Sequence, residues 1–188
     1  MYIALEGIDT AGKSTQITLL KEIFKNAIFT FEPGATPLGQ QIREILLTTE
    51  ILSSKAEMLL FLADRAEHYA SVIAPNVDKL LISDRSLISG IAYAKGFDFQ
   101  LLESFNAFVM DNMLPNKAIL LEVDKQTLEY RLSQKGKDKI EQRGIAYLLE
   151  LQERLKETML HLNVESLSIN ASLPRDSITT QIVEFINS

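Results

Sequence analysis

Apolar residues along this chain follow two spacings in turn. Short continuous runs occur at Tyr2–Glu6, Ala27–Phe31, Lys79–Ser83, Lys117–Val123 and Leu167–Ile169, each bounded by polar or turn residues. Runs of that length predict buried strands. Between them the apolar positions recur at helical intervals, as with Ile17, Leu20, Ile23 and Phe24 in a segment from Ser14 to about Lys25. The same reading predicts helices over Leu38–Leu47, from Ala56 to about Ile73, and over Leu87–Tyr93, Leu101–Met113 and Lys125–Leu132. Two more are predicted over Ile145–Leu162 and Pro174–Ile186. Pro37 and Pro174 stand where a helix start accepts proline. Strands alternating with helices imply a parallel sheet covered on both faces. The expectation is one α/β domain over residues 1–188, a three-layer α/β/α sandwich with a five-stranded parallel sheet. A charged, Gly-containing stretch from Gln134 to Gly144 interrupts the pattern and reads as a loop or lid.

Composition narrows the classes. The 188 residues contain no cysteine, which excludes a disulfide scaffold, a thiolate zinc site and a cysteine nucleophile. A formal net charge of −6 argues against a broad nucleic-acid-binding face. No apolar run is long enough to span a bilayer, and the first residues read as a strand rather than a leader, so a cytoplasmic protein is expected. His68 and His161 lack metal-ligand spacing and are assigned no catalytic role.

The segment from Gly7 to Ser14, GIDTAGKS, fits G-x-x-x-x-G-K-[ST] in full, after a strand and before a helix. Glycines there let backbone N–H groups turn around phosphate oxygens, and the helix N-terminus adds a favourable dipole. Lys13 would reach the β- and γ-phosphates of ATP, and Ser14 would ligate Mg²⁺. A guanine-reading N-K-x-D segment is lacking, since Asn116-Lys117-Ala118-Ile119 ends in Ile. A small kinase, or an ATP-dependent synthase acting on a small molecule, remains.

A kinase must also hold an acceptor. Asp84-Arg85 closes the third strand at the carboxyl edge, where open α/β sheets bind ligands. Asp84 could hold Mg²⁺ through water and Arg85 could clamp the moving phosphoryl group. Arg43 lies one turn into the helix after Glu32-Pro33-Gly34, and Phe61 and Arg65 share a helix face. Each has an ordinary alternative: a core position for Phe61, a solvated helix charge for Arg65, and a surface pair with Glu44 or Glu50 for Arg43.

In this order and spacing, the chain resembles the thymidylate (dTMP) kinase family, P-loop nucleoside monophosphate kinases. The resemblance is carried by Leu5-Glu-Gly-Ile-Asp9 with the phosphate loop, Glu32-Pro33-Gly34, Phe61-Leu-Ala-Asp-Arg65, Asp84-Arg85 with Ser89 and Ala92-Tyr93, Lys137-Asp-Lys-Ile-Glu141, and Ile169-Asn-Ala171. It implies transfer of the ATP γ-phosphate to dTMP, a homodimer, and contributions to the subunit face from Leu60, Phe105, Phe108 and Val109, though core burial suits most of these. Gly7, Ile8, Asp9, Thr10, Ala11, Gly12, Lys13, Ser14 and Thr15 would cradle the phosphates of ATP. Asn170 and Ala171 would border its adenine. On the acceptor side, Phe61 would stack on thymine and Arg65 would reach its carbonyl. Arg43 and Arg85 would bind the acceptor phosphate, Asp9 would sit near the 3′-hydroxyl and Tyr93 would pack on the sugar. Glu32, Pro33, Ser89 and Gly90 would complete that pocket. Where some members carry Arg in the phosphate loop, position 10 here is Thr, so Lys139 or Arg143 of the lid would supply the second cation. Gly90 and Ala94 replace polar residues common in the family, so selection for thymine over uracil would rest on about 1–3 kcal/mol for one methyl. The competing readings are another nucleotide or deoxynucleoside kinase of the same fold, and a non-catalytic ATP-binding subunit.

Overall fold

A computed structural model describes residues 1–134 and 144–188. Five parallel strands, β1 (Tyr2–Glu6), β2 (Ile28–Phe31), β3 (Leu81–Asp84), β4 (Lys117–Glu122) and β5 (Glu165–Asn170), form one sheet in the order β2-β3-β1-β4-β5. Every residue of β1 is buried, as are five of the six in β4, because helices cover both faces of the sheet centre. β2 and β5 are the edges. In β5 only Ile169 is buried, and the polar residues between apolar ones face outward, which is why the apolar run Leu167–Ile169 understates the strand.

The helices are α1 (Lys13–Ile23), α2 (Pro37–Thr48), α3 (Ser54–His68), α4 (Leu87–Tyr93), α5 (Phe99–Val109), α6 (Lys125–Ser133), α7 (Ile145–His161) and α8 (Arg175–Asn187). Several begin where a side chain accepts from an early N–H: Thr36 from Gly39, Ser53 from Ala56, Asp98 from Leu101 and Asp124 from Thr127. The Asp98 cap starts α5 at Phe99, earlier than apolar spacing indicates. That helix also ends sooner, at Val109, before Asp111 and Asn112 adopt positive φ. The helix expected to run from Ala56 to Ile73 is α-helical only to His68. It widens into a π turn over Tyr69–Ile73 and closes in a 3-10 turn at Ala74–Asn76, where Pro75 has no N–H to continue the ladder. Lys79 and Leu80 lie before β3 rather than in it, with the Lys79 N–H turned back to the Asn76 carbonyl.

This topology places the site. β1 feeds α1 and the edge strand β2 on one side, while the chain after β3 crosses to β4 on the other. The crevice at the carboxyl ends of β1 and β3 is therefore a topological switch point. Leu5 pairs in register with Asp84, so the residues after β1 and after β3 emerge side by side.

Thr10, in the turn after β1, is a β-branched residue held at φ 70°. That conformation costs an L-residue about 1–2 kcal/mol, and glycine's greater freedom in the unfolded chain returns up to about 1 kcal/mol. Thr10→Gly is therefore expected to raise the urea unfolding midpoint, by up to about 1 kcal/mol of stability. A lowered midpoint would mean that the threonine side chain contributes more than its backbone costs.

Candidate functional site

The segment between β1 and α1 turns through positive φ at Gly7, Thr10 and Gly12. Gly12 caps α1 with no side-chain bond, which leaves the first N–H groups of the helix open to an anion. Lys13 folds back over the loop, its Nζ donating to the Gly7 carbonyl at 2.9 Å and the Ile8 carbonyl at 3.4 Å, 3.9 Å from Asp84 Oδ1. Burial and the neighbouring Arg85 charge lower its pKa to about 8, against the pull of Asp84, Asp9 and Glu6. Asp84 Oδ1 is buried with no hydrogen-bond partner, while Ser14 is exposed. Among the described residues no group of three or more His, Cys, Asp and Glu is placed to hold a metal ion. An orphaned carboxylate oxygen and a free hydroxyl suit Mg²⁺, which takes one or two protein oxygens and completes its shell with water and phosphate.

Beside the loop, Arg85 occupies a left-handed conformation at φ 73°, with its N–H bonded to the Leu5 carbonyl. That geometry turns the side chain across the strand ends. Nη2 donates to Asp9 Oδ1 at 2.6 Å, and Nη1 donates to Tyr93 Oη at 3.0 Å and Ser89 Oγ at 3.3 Å. The guanidinium also lies over the Tyr93 ring, 5.1 Å from its centroid. Burial pushes the Tyr93 phenol up to about 12 although Arg85 pulls it down, so the ring stays neutral. Beneath this group Glu6 is fully buried and accepts from Ser86 Oγ and Ser89 Oγ. Burial raises its pKa, and the two serine hydroxyls offset that only in part.

A third cation lies deeper. Arg65 is not a solvated helix charge but only 3% exposed. Its Nε and Nη2 donate to Glu32 Oε2 at 2.9 and 2.6 Å, Nη1 to Asn106 Oδ1 at 2.8 Å, and Nη2 to the Ser86 carbonyl at 3.2 Å. Burial alone would raise the Glu32 pKa, but Arg65 and His68 more than offset it and hold the carboxyl below its usual range. The Glu32–Pro33 peptide is cis. Gly90 packs flat against the guanidinium: a Cβ there would lie 2.5 Å from Arg65 Nη1 and 2.7 Å from Nη2. Position 90 is glycine because Arg65 occupies the space a side chain would need.

One cavity of about 1150 Å³ joins these parts. From the phosphate loop it is lined by Asp9, Thr10, Gly12, Lys13, Ser14 and Thr15, and from the far side by Glu32, Pro33, Arg43, Phe61, Arg65, Arg85, Ser89, Gly90 and Tyr93. Phe61 is half-buried on its wall rather than in the core. Arg43 pairs with neither Glu44 nor Glu50; its Nη1 donates to the Pro33 carbonyl at 2.8 Å. Gly7 and Ile8 lie beneath the loop, with Ile8 fully buried, so they offer backbone only. A second cavity of about 430 Å³ adjoins the loop and is lined by Thr10, Ala11, Arg131 and Ala171 among others. Asn170 lines neither cavity, since its Oδ1 caps the turn at the Ser172 N–H. Lys139 and Arg143, the expected lid cations, lie outside the described residues.

Sequence reasoning missed Arg131, Asn106, His68 and Glu6. Arg131 donates to the Thr10 carbonyl at 2.9 Å and the Ala171 carbonyl at 2.6 Å, tying the phosphate loop to the turn after β5. It ends an unremarkable helical pattern, and only the fold brings it to the loop. His68 and Asn106 carried no motif. Glu6 stood inside a motif but was given no role; its continuous apolar surroundings were the available signal that a carboxylate would be buried there.

The family model described as thymidylate kinase matches residues 5–182. A thymidylate kinase of Wolinella succinogenes is 57% identical over 183 residues, covering 97% of this chain and 96% of that protein. One from Campylobacter jejuni is 50% identical over 99% of this chain and 100% of its own. The crystal structure of thymidylate kinase from Ehrlichia chaffeensis superposes with a TM-score of 0.77 at 27% identity, over 100% of this chain and 98% of that one.

The contact at Gly90 gives a direct test of the packing. Gly90→Ala is expected to destabilise the chain by about 1–3 kcal/mol in urea unfolding, as overpacking of a filled site does. In an Arg65→Met background the penalty should largely vanish, because the opposing guanidinium is gone. Additive penalties in the double variant would show that the two positions do not press on one another.

Proposed function

We propose that this chain, which belongs to the thymidylate kinase family, moves the γ-phosphoryl group of ATP onto the phosphate of dTMP, giving ADP and dTDP. The observation that carries the reading is the single cavity in which a phosphate loop at one end faces an aromatic ring and a buried guanidinium at the other. ATP lies with its phosphates on Gly12–Thr15 and its adenine toward the second cavity, which Arg131 and Ala171 line. The acceptor base stacks on Phe61 with a carbonyl oxygen at Arg65. Its phosphate comes to Arg43 and Arg85, with Asp9 and Tyr93 against the sugar.

The chemistry asks little covalent help. An acceptor phosphate oxygen is already anionic at neutral pH, so no strong general base is needed. The protein's part is alignment and neutralisation of charge. Ser14 and Asp84 are the residues that would hold Mg²⁺, which when bound offsets charge on the phosphate oxygens. Arg85 can turn from Asp9 to the moving phosphoryl group, and Lys13 from the loop carbonyls to the ATP phosphates. With threonine at position 10, the remaining cation falls to Lys139 or Arg143 in a lid over 134–144. We further assign a homodimer, supported by Phe108, which stands 82% exposed on α5 beside the half-buried Phe105 and Val109, with Leu60 half-buried on α3. The reading places the enzyme in the cytoplasm. Among the described residues no helix is long and apolar enough to cross a membrane.

Coupled measurement of ADP release with dTMP, dUMP, dCMP, dGMP and thymidine tests the reading. Release that depends on dTMP, with dUMP second, is expected. Preference for thymidine would make the chain a nucleoside kinase, and ATP binding without acceptor-dependent release would make it a binding subunit.

Lys13 gives a pH-dependent signature. With Lys13 resting on the loop carbonyls, its pKa is about 8, below the ordinary 10.5, so it is mainly neutral above pH 8. Bound polyphosphate favours the ammonium and moves the pKa back up. ATP binding is therefore expected to take up a proton in the window between about 8 and 10.5. Calorimetry at pH 9 in buffers of differing ionisation enthalpy should show that uptake, and Lys13→Met should remove it. Buffer-independent heats in the unsubstituted chain would contradict the assignment.

A further inference from the structure

We infer that His68 is a positioning residue for recognition of the acceptor base, acting through Glu32 on Arg65. The inference rests on the reading that Arg65 meets the base. His68 is fully buried and does not line the cavity, so it touches no substrate. Both ring nitrogens are nonetheless engaged: Nδ1 lies 2.9 Å from Glu32 Oε1, and Nε2 lies 2.6 Å from Thr30 Oγ1. These partners suit the Nδ1–H tautomer, in which the ring donates to the carboxylate and accepts from the threonine hydroxyl.

The arrangement divides Glu32 between two neighbours. Oε2 takes two N–H groups of Arg65, and Oε1 takes the one from His68. With one oxygen tied to each, the carboxylate is held in place, and Oε2 stays where both Arg65 N–H groups reach it. Counting donors shows what that controls. Arg65 has five N–H groups. Four are committed, two to Glu32, one to Asn106 and one to the Ser86 carbonyl. One on Nη1 is left for whatever enters the cavity. A single fixed donor pairs with a ring carbonyl oxygen and leaves an exocyclic amino group without a partner, so its direction is the selective element. Thr30 stands behind the ring on the buried side of edge strand β2 and fixes its tilt.

The test compares His68→Leu, which removes the bond to Glu32, with His68→Asn, whose amide nitrogen can stand in for Nδ1. In His68→Leu the KM for dTMP is expected to rise roughly three- to tenfold, the range for one ordered hydrogen bond. The kcat should stay within about twofold and the KM for ATP should not move. The kcat/KM preference for dTMP over dCMP should fall as well, a change that general loosening of the fold would not produce. His68→Asn should recover most of both. An unchanged dTMP KM in His68→Leu, or equal shifts in the KM values for dTMP and ATP, would overturn the inference. Should His68→Leu not fold, Thr30→Val decides in its place: a raised KM for dTMP alone supports the relay, and an unchanged one refutes it. Arg65→Gln separates the two levels. If it leaves the dTMP KM unchanged, the reading of Arg65 fails; if it raises that KM while His68→Leu does not, only the relay fails.

Discussion

Arg65 is buried beside Glu32, and a guanidinium withdrawn from water imposes conditions on everything around it. Such a pair is tolerated only when the remaining N–H groups and carboxylate lone pairs find partners, since an uncompensated charge in the interior is far more costly than the pair gains. The surrounding chain meets these conditions from four directions. Asn106 comes from α5, the Ser86 carbonyl from the turn after β3, His68 from the end of α3, and Gly90 withdraws its side chain from α4. The wall of the acceptor cavity is in this sense a consequence of satisfying one ion pair.

The phosphate end works on a different principle. Its cations are poised rather than locked. Lys13 rests on loop carbonyls and Arg85 on Asp9 and Tyr93, and both sit at the cavity surface where an anion can displace those partners. Carboxylates at Asp9, Asp84 and Glu6 keep Lys13 and Arg85 from being an uncompensated cluster of positive charge. A polyphosphate bound there would replace these contacts with closer opposite charges in a cavity partly shielded from water, where they are worth more. One end of the site is fixed by its own partners; the other is held by contacts that can be exchanged.

How much of this could be read in the sequence depends on how local the determinant is. The phosphate loop is contiguous, and its strand and helix follow from apolar spacing within a few residues of their observed ends. Asp84-Arg85 was placed at a strand end by the run that precedes it. Edge strand β5 is longer than its apolar run because four of its six residues are exposed. The partners of Arg65 were illegible for a stronger reason. Glu32 stands in the Glu-Pro-Gly motif, but nothing there points to a partner 33 positions away, and Asn106, 41 away, lies in no motif at all. His68 has no ligand spacing, and its partners Glu32 and Thr30 stand 36 and 38 positions away. Arg131 lay in the same blind spot, joining segments 121 and 40 positions distant.

The contact between Gly90 and Arg65 has a bearing on descent as well as on binding. Each residue makes the other hard to change: a side chain at 90 is obstructed while the guanidinium remains, and the guanidinium has room only while 90 stays bare. A lineage holding both is therefore confined by epistasis, with the way to a polar residue at 90 leading through an intermediate in which Arg65 has already moved. The order of mutations, and not only their final set, becomes a property written into this pocket.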